Sequence, residues 1–219
     1  MIADADALLR GEGRHAVGGG RLPWVAIVAI VVAAGFSYGA VMGLYQLRPL
    51  QALYSGLKVP LLLFVATIVC LPNFFVVNSV LGLRDDLAAA VRGILSAQGT
   101  MAICLLGLAP ITAFIYFSDI EYQTAKVANG LMFALASVAG QVTLARHYRP
   151  LLAKDRRHMV GLVGWLLLYI FVAVQFAWVL RPFIGRPDMD VTFFREGAWG
   201  NAYIEVLRAI QDVLGDIGD

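Results

Sequence analysis

The sequence predicts an all-α fold: a polytopic membrane protein built as a five-transmembrane-helix bundle, followed by an amphipathic C-terminal helix. Three observations carry this. Of the 219 residues, 60% are hydrophobic and only 15% charged, with a mean hydropathy of +0.76, whereas soluble domains are about 45–50% apolar and about 25% charged. Five stretches are each long enough to cross a hydrocarbon layer, which takes about 20 apolar residues per helix. These stretches (24–45, 59–81, 100–117, 127–145 and 159–180) contain no Asp, Glu, Lys, Arg or His, and runs such as VPLLLFVATIVCL do not alternate as barrel strands would.

The chain divides into a polar N-terminal segment (1–22), the transmembrane domain (23–180) and a tail (181–219). Residues 5–9 form a short amphipathic turn, and GEGRHAVGGG reads as a flexible linker to the membrane. The first apolar stretch is too long for a signal-peptide core of about 7–15 residues, and 22 mostly polar residues precede it, so it reads as an uncleaved signal anchor. It contains Gly35, Gly39 and Gly43 at intervals of four. Three glycines on one face let another helix backbone approach closely, within the chain or from a second copy. Smaller versions of the motif occur at Gly130/Ala134, Ala136/Gly140 and Ala173/Ala177.

Pro23 and Pro60 fall at the expected first turns of spans one and two, where a missing N–H is harmless. Pro72 and Pro110 fall inside spans two and three and are expected to kink them. Pro49, Pro150, Pro182 and Pro187 each follow an arginine outside the spans, and such Arg-Pro pairs read as helix exits with a charge at the headgroups. Between spans two and three, RDDLAAAVRGILSAQ places Leu87, Val91, Ile94 and Leu95 on one face, and reads as an extension of span three. After span five, RPFIGRPDMDVTFFREGAWG carries turn signals and aromatic rings suited to the headgroup level. From Asn201, the spacing of Tyr203, Leu207, Ile210 and Leu214 predicts an amphipathic helix of about four turns. Its opposite face holds Glu205, Arg208, Asp212 and Asp216, so it is acidic rather than basic and suits docking onto protein more than onto anionic lipid.

Orientation follows from the arginines and lysines. With the N-terminus in the cytoplasm, ten basic residues lie inside and the two short outer loops hold only Arg48, Lys58 and Lys126. The loop RHYRPLLAKDRRH is the strongest determinant, and its charge also suits anionic headgroups. The expected orientation is therefore N-terminus cytoplasmic and C-terminus extracytoplasmic.

The polar residues expected at depth are five amides: Asn73, Asn78, Asn129, Gln141 and Gln175. Amides in hydrocarbon need partners, so they read first as interhelical glue, with a polar path for substrate as the alternative. Proton coupling and ion selectivity usually leave an acid, a base or a ring of charge within the spans. All three histidines lie outside the spans, no Cys or carboxylate set has metal-ligand spacing, and no phosphate-binding Gly-rich loop with a Lys occurs. The reading is thus of a non-enzyme that calls for no cofactor or metal, and with 17 basic against 15 acidic residues there is no global bias toward nucleic acid.

A polar N-terminus, five clustered spans and an outward C-terminus resemble the layout of Yip1-domain proteins over residues 23–180, although the long outer tail departs from that family. The blocks LYSGLKVPLLL and WVLRPFIGRPDMDVTFFREGAWGNAY are similar to uncharacterised five-span bacterial inner-membrane proteins. The Yip1 likeness implies a membrane-organising role. The expectation is a scaffold, assembly or accessory subunit that packs with partner membrane proteins or with itself in the lipid bilayer. The alternative is a small transporter or channel that works as an oligomer around the first span.

Overall fold

The computed structural model describes residues 1–17, 23–118, 120–186, 188–195 and 197–204. Among them the regular elements are all helical: α1 (Ile2–Arg10), α2 (Trp24–Gly43), α3 (Pro49–Val80), α4 (Leu87–Phe117), α5 (Tyr122–Lys154) and α6 (His158–Val179). Helices α2 to α6 are each long and apolar enough to cross a membrane. A helix satisfies its own backbone hydrogen bonds, which hydrocarbon cannot do for it.

The helices alternate in direction. One end of the bundle gathers the N-terminal segment with the turns before α4 and before α6, where Lys154 Nζ meets Asp86 at 2.7 Å and Arg157 Nη1 donates to the Leu81 carbonyl at 3.2 Å. The opposite end gathers the α2–α3 and α4–α5 turns with the tail, where Tyr45 Oη donates to the Ile120 carbonyl at 2.9 Å. Helix α2 packs on α3 and α4, α4 on α5, and α3 on α6. At the N-terminal end the core is Phe74, Ile94, Tyr148 and Trp165, from α3 to α6. At the opposite end it is Tyr38, Val59, Leu105 and Ala125, closed by Ile184 of the tail.

Three boundaries differ from the sequence expectation. Helix α3 begins at Pro49, so Pro60 stands in its interior and Lys58, read as an outer-loop residue, is part of the helix. The stretch PLQALYSGLK continues the helix because its Ala52, Ser55 and Val59 are buried against neighbours. Helix α5 runs through Pro150 to Lys154, so Arg149-Pro150 does not end it. Buried Tyr148 and Leu151 tie both sides of that proline into the core, which offsets the lost backbone hydrogen bond. Helix α4 runs unbroken from Leu87, in line with an extension of span three.

The third difference is at the N-terminus. Residues 2–10 form a helix docked on α4, with Leu8 buried beside Ile27 and Ala102. Gly11 ends it at φ 69°, the left-handed conformation that favours glycine, and the N–H groups of Gly11 and Glu12 close the turn onto the Leu8 and Ala7 carbonyls. The piece read as a free linker begins with a 3-10 turn, Gly13–His15, whose His15 is buried.

Candidate functional site

The small residues of α2 meet α3. A Cβ added at Gly39 would lie 2.3 Å from the Ser55 carbonyl oxygen and 2.9 Å from Gly56 Cα, and one at Gly43 would lie 2.6 Å from Ala52 Cα. Gly35 is looser, with Pro60 at 3.4 Å. Gly39 and Gly43 therefore face another helix of the same chain, backbone against backbone.

The amides fall into three environments. Asn129 is buried and ties three helices: it accepts from Tyr38 Oη at 3.1 Å, and its Nδ2 donates to Tyr116 Oη at 2.7 Å and to the Ala125 carbonyl at 2.8 Å. Tyr116 in turn donates to the Met42 carbonyl at 3.0 Å. Asn78 is buried against Gly161 of α6, where a Cβ would lie 3.2 Å from its Oδ1, and donates to the Phe74 carbonyl. Gln175 clamps the tail, donating to the Gly200 carbonyl and accepting from the Ala202 N–H, both at 3.0 Å. Asn73 is exposed on the outside of α3, and Gln141 is half-buried with its Oε1 unpartnered. The five amides do not form one site.

Tyr203 stacks on Phe171 of α6 with centroids 4.5 Å apart and donates to the Phe171 carbonyl at 2.8 Å. The other residues read as a docking face, Leu207, Ile210 and Leu214, lie outside the described residues. The tail segment between α6 and Tyr203 folds back over the end of the bundle. Arg48 Nη1 and Nη2 donate to the Arg186 and Met189 carbonyls at 2.6 and 2.8 Å. The Trp178 ring has the guanidinium of Arg181 at 3.5 Å and that of Arg195 at 4.4 Å.

Sequence reasoning missed a polar face on α3. Gln51, Ser55 and Lys58 are all fully buried and all hydrogen-bond to the tail backbone. Their spacing of four and three puts them on one helix face, a signal hidden because PLQALYSGLK was read as a loop. A second cluster at the other end joins the N-terminal segment to the bundle. Arg92 Nη1 donates to the Arg14 carbonyl at 3.0 Å, Arg146 Nη1 to the Leu9 carbonyl at 3.2 Å, and Asp4 pairs with Arg14. The Arg14 guanidinium holds the Asp4 carboxyl below the usual carboxylate range. Burial pushes His15 below its ordinary 6.5, although Asp4, 3.7 Å away, opposes this.

Among the described residues no group of three or more His, Cys, Asp or Glu side chains is gathered as a metal site would need. An open apolar groove of about 270 Å³ lies at the tail end, lined by Val41, Leu44, Leu47, Ala113, Tyr116 and Phe117 among others. Comparison with protein-family models, with curated proteins and with solved structures returns no match.

Proposed function

We propose that the chain is a non-enzymatic protein of a bacterial inner membrane, N-terminus cytoplasmic and C-terminus extracytoplasmic, that acts as a scaffold, assembly or accessory subunit. It works by packing against a partner membrane protein or a second copy of itself. The observation that carries this reading is glycine on the outside of the bundle. Gly107, Gly130 and Gly164 are exposed on α4, α5 and α6, and beyond their chain neighbours and their own helix backbone no atom lies within 4 Å of where a Cβ would stand. Ala134, one turn from Gly130, is exposed as well. Such small residues do nothing for packing inside this chain, and they suit close approach by a helix of another chain. An oligomeric transporter built around the first span would need Gly39 and Gly43, which α3 already covers.

Purification in mild detergent tests the reading. A stoichiometric second membrane protein, or a dimer mass by light scattering, is expected. Gly130→Leu should release that partner while leaving helical content unchanged. A chain that purifies alone as a monomer overturns the proposal.

A further inference from the structure

The bundle holds a cation that helix packing does not require. Lys58 is 0% exposed, nine residues into α3, and among the described residues no carboxylate lies within 4.0 Å of it. Its ammonium donates to the Pro182 carbonyl at 2.7 Å and sits 4.9 Å from the Phe193 ring centre. Gln51 Nε2 reaches the carbonyls of Pro182 and Phe183 at 3.2 and 3.0 Å, and Ser55 Oγ donates to that of Phe183. An ammonium, an amide and a hydroxyl thus converge on two carbonyl oxygens. Gln51 Oε1, also buried, is left without a partner.

For holding the tail in place this is a poor arrangement. A buried ammonium facing only neutral acceptors keeps much of its desolvation cost, and apolar packing at position 58 would secure the same segment without it. Among the described residues the ammonium has no counter-ion, and a carboxylate would supply one together with acceptors for the amide and the hydroxyl, through charge-assisted bonds about twice as strong as neutral ones.

We propose that Gln51, Ser55 and Lys58 form a binding site for a carboxylate, and that the Pro182 and Phe183 carbonyls are internal stand-ins displaced when residues 181–186 lift. Lifting uncovers Ile184 at the tail end of the bundle and breaks the bond from Tyr122 Oη to the Ile184 carbonyl, so it is unfavourable alone. It also takes the carbonyls from the α3 donors, and an anion that replaces them restores those bonds, so opening and binding are linked. Arg48, which straps Arg186 and Met189, opposes the lifting from outside the site.

Calorimetry on the full chain in detergent, with acetate and with octanoate, each against its methyl ester, tests this. At least one carboxylate binds and its ester does not. Binding of octanoate alone identifies a lipid-borne acid, and binding of acetate as well identifies a small aqueous one. Lys58→Met weakens binding by about tenfold or more. Arg48→Ala tightens it about threefold by raising the open fraction. Failure of both carboxylates to bind, equal binding of an ester, or unchanged affinity in either variant overturns the proposal. If Lys58→Met does not fold, the ester comparison and Arg48→Ala decide it.

Discussion

Single atoms decide how tightly this bundle closes. Gly39 faces the Ser55 carbonyl and Gly56 Cα, neither of which is a flexible side chain. Gly39→Ala therefore forces α2 and α3 apart and is expected to cost about 1–3 kcal/mol, read as a lower midpoint of unfolding in detergent. Gly130→Leu, with open space around it, is expected to leave the midpoint of the chain stripped of its partner unchanged. Asn129 is the other residue whose loss is felt at a distance, because Tyr38, Tyr116 and Ala125 all bond to it. Asn129→Leu is expected to cost about 1 kcal/mol, the usual scale of an interhelical hydrogen bond in a membrane, in the same unfolding measurement. The glycine spacing and the amides are visible in the chain, but not which neighbour each would meet.

At the scale of elements, α1 is the piece whose attachment responds to pH. His15 is buried among Asp4, Arg14, Arg92 and His147, and its folded-state value lies below 6.5. Such a group contributes docking stability that is complete above 6.5 and falls as pH drops through the folded value, because the released segment binds the proton more readily. Asp4, held below 3.8, contributes stability present above 3.8 and lost as pH falls through its own lower value. Amide exchange of residues 2–10 is thus expected to quicken in two steps on acidification, relative to the intrinsic rate. His15→Gln should remove the upper step and leave the lower one; a single step near the carboxylate range in the wild type would contradict this. Elements also outgrow their apolar runs. At 32 and 33 residues, α3 and α5 exceed what a hydrocarbon layer needs, and their polar ends pack against the tail and the N-terminal segment.

For the whole molecule, the proposed topology puts residues 1–17 and residues 188–195 on opposite faces of the membrane. Cysteines introduced at residues 12 and 191 are expected to react with an impermeant thiol reagent from opposite sides of the membrane, residue 12 only after the cytoplasm is opened. Labelling of both from one side would overturn the orientation. The all-α class, the number of spans and the approximate centre of each were legible in the chain alone, because hydrocarbon admits only long uncharged helices and excludes the alternatives before any packing occurs. Span ends were less legible. Leu8, Lys58 and Leu151 lie beyond the apolar runs, and what draws them into order is burial against residues distant in sequence. The composition of PLQALYSGLK looks like a loop until the carbonyls of Pro182 and Phe183 supply acceptors for its donors. Local hydropathy thus determined which segments enter the membrane. Only the tertiary structure decided that the α2 glycines are covered by α3, that the tail closes one end and α1 the other, and that a lysine stands inside, since each depends on contacts between residues far apart in the chain.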